Sequence, residues 1–355
     1  MELSQLTVRQ FRNLASLDLD LPPRGAVIIG DNGQGKTNFL EAIYYLVLFR
    51  SLRGGKDAEL VRFGEPGFFI AGTARQRVTA GYETAGRRKK VTVDGAPVAK
   101  LGDAVGRLLA VSFSPADRAL VAGGPAERRR YLDVVLALSN RRFLDPLAAF
   151  RIALRQRNAA LRRGQADAAW AFDEPLARAA AAVAAARTAW VADRADRFGT
   201  LCAALGESGC AAMTYHVHRG GGTDPDEVLR GLRAARDRDA RRGLTTVGPQ
   251  RDELRLTLEG RETRQVGSAG QQRTAALALR LLEAEALGAT HGTTPIALFD
   301  DAFAELDGER QARLLTLIAE TLPGQAIITA PRDAEVPAAL LDRPRWRMVG
   351  GRLAA

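Results

Sequence analysis

Residues 27–37, VIIGDNGQGKT, contain a loop of the form G-x-x-x-x-G-K-[ST], which runs from Gly30 to Thr37. An apolar stretch precedes the loop, and residues 38–49 follow it with apolar and aromatic side chains at helical spacing. Glycines let the backbone approach a polyphosphate and turn its N–H groups inward, while the N-terminus of the following helix favours a bound anion. The sequence therefore predicts a phosphate-binding loop between a strand and a helix.

The side chains at the end of this loop have distinct expected roles. Lys36 is expected to reach the terminal phosphates and to act in catalysis, and the hydroxyl of Thr37 is expected to bind Mg²⁺. The positions expected to contact the nucleotide are Gly30, Asp31, Asn32, Gly33, Gln34, Gly35, Lys36, Thr37 and Asn38. By itself this loop indicates a nucleotide-binding protein that uses Mg²⁺, without identifying the nucleotide.

Two carboxylates end a second apolar strand, residues 295–301, PIALFDD. ATPases with a phosphate loop place the residue that holds Mg²⁺ through water at such a strand end, and Asp300 fits this role. Asp301 is then expected to orient or deprotonate the attacking water. An ordinary turn or helix N-cap is the alternative for two aspartates after a strand.

A second anion site is predicted at residues 268–271, SAGQ, just before a helical pattern at 274–287. This arrangement resembles the signature motif of ABC-type ATPases, in which the signature of one subunit covers the nucleotide of the other. The resemblance implies nucleotide contacts from Ser268, Gly270 and Gln271. Residues 304–307, AELD, resemble the D-loop of the same class. A plain capped helix start remains the alternative for the short SAGQ segment.

Composition limits the class of protein. The chain has 355 residues, 46% of them apolar, and a formal net charge of +10. This charge favours a polyanionic partner, nucleic acid or a membrane surface, although abundant arginine can also reflect genome composition. The two cysteines lack metal-ligand spacing, and no apolar run reaches membrane-spanning length. We expect a cytoplasmic protein.

The predicted fold is α/β: an ABC-type phosphate-loop ATPase head with an antiparallel β subdomain and an inserted, mostly helical lobe. Alternating apolar residues at 2–30 and 68–93 predict strands with one buried face. Residues 115–242 are rich in Ala, Leu and Arg and predict helices, with a helical pair around 173–205. We therefore expect a discontinuous head formed by 1–114 and 243–355, with the lobe at 115–242.

The whole chain resembles the RecF family of bacterial recombination-mediator ATPases. The segments that carry this resemblance, besides the loop and SAGQ, are Phe11-Arg12-Asn13, residues 115–133 (PADRALVAGGPAERRRYLD), residues 248–252 (GPQRD) and residues 298–307 (LFDDAFAELD). It adds Arg12 and Asn13 to the expected nucleotide contacts. The insertion is too short and too broken for the long coiled coil of SMC and Rad50-type ATPases.

The resemblance also implies a mechanism and partners. ATP would induce a head-to-tail homodimer that binds DNA at single-strand gaps or junctions, and with RecR and RecO this dimer would promote RecA loading. Slow, DNA-stimulated hydrolysis of ATP would release the dimer. The resemblance implies no membrane partner. The expected DNA contacts are the basic residues at the start of the insertion: Arg128, Arg129, Arg130, Arg141 and Arg142. A run of arginines on a helix is also typical of a solvated face.

The chain departs from the family pattern at Ala116, Gln250 and Ala304, where an acid, His and Ser are usual. The switch histidine of many ABC proteins is absent, with Thr329 standing in that region, and 113–117 contain no Q-loop glutamine. A chromosome-organising SMC-like structural ATPase is the main alternative. A transporter ATPase subunit lacks the expected Q-loop, and a small-molecule kinase would not need a signature segment.

Overall fold

Runs of strands and runs of helices follow one another along the chain. The computed structural model describes residues 1–304, 306–340 and 342–354. The strands are β1 (Gln5–Phe11), β2 (Leu14–Asp20), β3 (Val27–Ile29), β4 (Gly67–Thr73), β5 (Arg77–Glu83), β6 (Arg88–Val93), β7 (Ala96–Pro97), β8 (Ala110–Phe113), β9 (Ala211–His216), β10 (Glu253–Leu258), β11 (Arg261–Glu262), β12 (Ile296–Asp300), β13 (Ala326–Ala330), β14 (Arg345–Val349) and β15 (Arg352–Ala354). The α-helices are α1 (Lys36–Leu48), α2 (Asp57–Leu60), α3 (Leu101–Ala104), α4 (Ala119–Ala122), α5 (Pro125–Ser139), α6 (Leu144–Arg162), α7 (Ala166–Trp170), α8 (Asp173–Ala204), α9 (Pro225–Ala234), α10 (Arg236–Arg242), α11 (Thr263–Val266), α12 (Ala269–His291) and α13 (Gly308–Thr321).

The chain divides into two compact units. The first comprises Met1–Ala116 and Glu283–Ala355, and the second comprises Asp117–Leu282. The first boundary lies within two residues of the predicted one at 114/115, but the second lies well beyond 242. The reason is a long-range strand pair: β10 follows the predicted insertion and pairs antiparallel with β9, which lies inside it. Sequence periodicity does not reveal such a pair.

Two six-stranded sheets form the first unit, which confirms the predicted α/β fold. One sheet is antiparallel with the order β2-β1-β4-β5-β6-β7. The other has the order β15-β14-β3-β13-β12-β8, with parallel pairing from β14 through β8. Every residue of β8 and β13 is buried, as expected for parallel strands covered on both faces.

Helices and a three-stranded sheet, β11-β10-β9, form the second unit. Residues 173–204, around which a helical pair is expected, form the single 32-residue helix α8, which packs against α6 and α9. Trp190 of α8 contacts Tyr131 of α5 edge to face, with ring centroids 5.9 Å apart. Within the described residues, no helix combines the length and apolar character needed to cross a membrane.

A buried carboxylate fixes the helix that follows the phosphate loop. Glu41 of α1 is fully buried and accepts hydrogen bonds from Arg53 Nη2 at 2.5 Å, Ser51 Oγ at 2.6 Å and Arg12 Nε at 3.1 Å. Burial alone would raise the pKa of Glu41, but the hydrogen bonds from Arg53, Ser51 and Arg12 hold it below its usual value. The ionised carboxylate thus ties α1 to the chain on both sides of the helix.

We expect Glu41→Gln to lower the free energy of unfolding at pH 7 by about 1–3 kcal/mol, because two arginines lose a charged partner. A lowered folded pKa stabilises the protein above the unfolded value, about 4.3, and this stabilisation is lost as the pH falls through the folded pKa. The difference between wild type and variant, measured by urea unfolding, should therefore shrink on acidification. The exposed pair of Glu309 with Arg313 provides the control Glu309→Gln. A deficit equal to that of the control would contradict this role.

Candidate functional site

The loop between β3 and α1 has the geometry of a phosphate cradle. Gly33 and Gly35 have φ angles of 82° and 115°, a region that glycine adopts without strain. A Cβ on Gly33 would meet nothing within 4 Å, so the mouth of the loop is open at this point. Asp31 and Asn32 lie exposed at its tip. Lys36 is buried, and its ammonium group crosses the loop to donate to the carbonyl oxygen of Gly30 at 2.6 Å.

Asn13 and the C-terminal hairpin hold the loop in place. Asn13 Nδ2 donates to the carbonyl oxygen of Gln34 at 3.2 Å, and Asn13 Oδ1 accepts from Asn38 Nδ2 at 2.8 Å. A Cβ on Gly35 would lie 2.8 Å from the Asn13 amide, so only glycine fits there. From the turn between β14 and β15, the N–H of Gly350 donates to Gln34 Oε1 at 2.6 Å. Asn13 thus positions the loop.

Thr37, Asp300 and Thr329 meet at the carboxyl ends of neighbouring strands. The hydroxyls of Thr37 and Thr329 each donate to Asp300 Oδ1 at 3.0 Å. Thr329 Oγ1 also accepts from the backbone N–H of Asp301 at 3.2 Å. Burial raises the pKa of Asp300, against the opposing effect of the two hydroxyls. The structure therefore brings together the two predicted metal ligands, with Thr329 beside them.

Asp301 presents a carboxylate oxygen that is available to a ligand. Its Oδ1 is buried and accepts no hydrogen bond within the described part of the chain. Burial raises the pKa of Asp301, and the charge of Lys36 opposes this shift. The residue has a φ of 48°, a left-handed conformation that is uncommon outside glycine, and its peptide N–H is held by Thr329. Asp301 and Thr329 also line a cavity of about 10 Å³, room for about one water molecule.

Two arginines flank the loop helix. Arg12, predicted from the family resemblance to contact the nucleotide, uses its guanidinium to bind Glu41 and the carbonyl oxygen of Glu59. Arg53, which sequence reasoning missed, donates from Nη2 to Asn38 Oδ1 at 2.5 Å, and its charge opposes the rise in the pKa of Asp300 that burial causes. Its side chain is 46% exposed. No spacing in the irregular segment 50–67 indicated this position.

The SAGQ segment caps α12 in the second unit. Ser268 is exposed and accepts from the N–H of Gln271 at 3.2 Å, while Gln271 Oε1 accepts from the N–H of Ser268 at 2.9 Å. This reciprocal pair is a capping box, so the helix begins earlier than the predicted 274. Gln271 Nε2 donates to Glu207 Oε1 at 3.3 Å. Gly270 lies in the first turn. The predicted anion site thus consists of an ordered helix N-terminus with an exposed hydroxyl.

The structure describes three of the four residues at 304–307, the segment predicted to be a D-loop. Asp307 caps α13 by accepting from the N–H of Arg310 at 2.9 Å. At the other end of the segment, the N–H of Ala304 donates to the carbonyl oxygen of Asp301 at 3.3 Å. Glu305, which belongs to the same predicted segment, lies outside the described residues.

The predicted DNA contacts differ in accessibility. Arg128 is buried, and its guanidinium binds Glu253 Oε1 at 2.8 Å and the carbonyl oxygens of residues 120, 121 and 123. Burial and these contacts, which engage Nε and Nη1, make Arg128 the least accessible of the predicted DNA contacts. Arg129 is half-buried and donates to the carbonyl oxygen of Asp252 at 2.9 Å. Arg130 is half-buried, whereas Arg141 and Arg142 are exposed.

Relatives of known identity match nearly the whole chain. This chain is 41% identical over 350 residues to the DNA replication and repair protein RecF of Anaeromyxobacter dehalogenans, and the match covers 93% of this chain and 92% of that protein. It is 36% identical over 369 residues to RecF of Myxococcus xanthus, covering 99% and 96%. No family model matches the chain.

Solved structures give the same result. The recombination mediator protein RecF of the RecFOR pathway, in its ATP form, superposes with a TM-score of 0.90 at 28% identity, covering 99% of this chain and 97% of that one. An SMC head bound to the C-terminal winged-helix domain of ScpA shares the fold alone, with a TM-score of 0.56 at 15% identity. Together with the sequence identity across nearly its full length, these likenesses establish that the chain belongs to the RecF family.

Proposed function

We propose that this protein is an ATP-dependent recombination mediator whose nucleotide state controls dimerisation and DNA binding. The observation that carries the proposal is the hydrogen bond between Thr37 and Asp300, followed in sequence by Asp301, whose Oδ1 accepts no hydrogen bond from the described residues. This arrangement is suited to a magnesium nucleotide that is hydrolysed in place. The solved RecF structure with ATP, which has nearly the same fold, supports ATP as the nucleotide.

The residues present fit Mg²⁺ and ATP. The open loop at Gly33 leaves room for phosphates, and a phosphate could replace the carbonyl oxygens of Gly30 and Asp31 to which the Lys36 ammonium donates. Thr37 would supply a hydroxyl oxygen of the kind that Mg²⁺ prefers, and the carboxylate of Asp300 would hold the ion through water. Bound Mg²⁺ would neutralise phosphate charge.

The chain's own groups would then perform the hydrolytic step. Asp301 Oδ1 accepts a proton from water or orients it, and Thr329 keeps this carboxylate in place by holding the Asp301 peptide. The raised pKa of Asp301 is compatible with the general-base role, because a base works best when its pKa lies nearer the working pH. We further propose that hydrolysis is slow and stimulated by DNA, so that it acts as a switch.

A head-to-tail dimer would complete the site. Ser268 is exposed at the N-terminus of α12 with its backbone fixed by the capping box, so its hydroxyl can still donate to an anion. We propose that Ser268, Gly270 and Gln271 of one subunit contact the nucleotide held by the phosphate loop of the other. ATP binding would then drive dimerisation, and hydrolysis would reverse it.

Family membership supports DNA and other repair proteins as binding partners. RecF relatives are DNA replication and repair proteins, and the solved RecF structures are assigned to the RecFOR pathway. We propose that the dimer binds DNA at single-strand gaps or junctions in the cytoplasm and works with RecR and RecO to load RecA. Arg130, Arg141 and Arg142 remain candidate phosphate contacts, with Arg129 partly engaged elsewhere.

Lys36→Met should weaken ATP binding by about a hundredfold or more, because a charged donor to the phosphates is lost. Titration with a fluorescent ATP analogue measures this. Lys100→Met removes an equal charge from an exposed position and should bind as wild type does. Equal affinities for both variants would contradict the role of the loop.

Asp301→Asn should reduce the rate of ATP hydrolysis by about 10²- to 10⁴-fold while ATP still binds, because the amide cannot accept a proton. Single-turnover hydrolysis separates this step from binding. Asp20→Asn makes the same chemical change on the exposed side of β2 and should leave the rate unchanged. If Asp301→Asn hydrolysed ATP at the wild-type rate, Asp301 would not be the general base.

Ser268→Arg should leave ATP binding by the monomer intact but block dimerisation. The reason is that the arginine side chain would occupy the space needed by the phosphates of the nucleotide bound to the other subunit. Sedimentation velocity with a non-hydrolysable ATP analogue measures the dimer fraction. Thr200→Arg places the same side chain on the exposed surface of α8 and serves as the control. Unimpaired dimers of the Ser268 variant would rule out a signature that acts in trans.

A further inference from the structure

One row of residues crosses the outward face of the antiparallel sheet. The strand register pairs Arg9 of β1 with Phe69 of β4, Phe69 with Gly81 of β5, and Gly81 with Lys90 of β6. Directly paired residues project from the same side of a sheet, and neighbouring strands lie about 4.8 Å apart. The residues that flank this row along β4 and β5 are buried, so the row itself faces solvent.

The row exposes an aromatic ring that leans toward a glycine on the next strand. Phe69 is 37% exposed, although phenylalanine is among the residues most often buried. A Cβ on Gly81 would lie 3.7 Å from Phe69 Cδ2, so the ring edge extends toward the glycine. The ring therefore leans over the space that a side chain at position 81 would fill, and its exposed part is the surface on which a planar group could stack.

The charges of this face are divided between its two edges. Lys90 and Arg88 project outward from β6 and are exposed, with Glu83 paired opposite Arg88. At the other edge, Arg9 forms a 2.6 Å ion pair with Asp18 of β2. Positive charge is thus available to a ligand on the β6 side of Phe69, at about two strand spacings, or roughly 10 Å, from the ring.

We propose that this face binds single-stranded DNA, with an unpaired base stacked on Phe69 and the backbone following Lys90 and Arg88. An exposed aromatic ring next to cations is the arrangement by which proteins bind single strands without reading sequence. The inference rests on the proposed DNA-binding function and adds a site in the first unit to the candidate arginines at the start of the insertion. It gives the protein a means of distinguishing a gap, which offers unpaired bases, from an intact duplex.

The test compares binding of a gapped duplex, an intact duplex and oligo-dT by fluorescence anisotropy, with the ATP analogue present. Phe69→Ala should weaken oligo-dT binding about tenfold and leave the intact duplex within about twofold, because base stacking is lost. Phe69→Trp should retain affinity, and its indole fluorescence should be quenched by the bound base. Lys90→Ala should weaken binding to all three DNAs. It should also reduce the slope of the logarithm of the binding constant against the logarithm of the salt concentration by about one.

Matched controls lie elsewhere in the same unit. Leu101→Ala truncates another exposed apolar side chain, and Lys100→Ala removes another exposed lysine. If the wild type binds none of the DNAs, the proposed function itself fails. If the wild type binds but Phe69→Ala and Lys90→Ala match their controls, the sheet face is not the site. Loss in Lys90→Ala with oligo-dT binding intact in Phe69→Ala would overturn base stacking.

Discussion

The hydrogen bond from Thr37 to Asp300 depends on the strand order of the parallel sheet. β13 lies between β3 and β12, so the phosphate loop after β3 and the carboxylates after β12 approach each other across the end of β13. Thr329, near the end of β13, contacts both Asp300 and the peptide of Asp301. Residues 263 positions apart in sequence therefore form one site. The antiparallel sheet and the C-terminal hairpin serve to hold this loop in place.

Buried charge is widespread in this basic protein and is structural. In the second unit, Arg157 is fully buried and binds Asp173 at 2.9 Å and Asp239 at 2.7 Å. Arg187 is likewise buried and binds Asp133 at 2.8 Å. Each of these arginines is neutralised by aspartates in contact with it, so it counts toward the arginine content of the sequence but adds nothing to the net charge. Arginine content is therefore a poor guide to the location of a nucleic-acid site, and accessibility has to be known as well.

Much of the site could be predicted from sequence because its parts are short and local. The loop glycines, Lys36 and Thr37 follow from one pattern, and the carboxylates at 300 and 301 follow from an apolar strand that ends in acids. The pairing of β9 with β10 could not be predicted, since it joins residues that lie far apart along the chain. Arg53 was missed for a similar reason: its role comes from its position beside Asn38 and Glu41, which no local spacing records.

The central claim, that ATP joins two copies of this chain, is tested most directly by multi-angle light scattering of the wild-type protein. The protein would be measured with no nucleotide, with ADP and with a non-hydrolysable ATP analogue plus Mg²⁺. The account predicts a monomer in the first two conditions and a doubled mass with the analogue alone. A mass that is the same in all three conditions, in a protein that still hydrolyses ATP, would contradict it and leave a single-site ATPase.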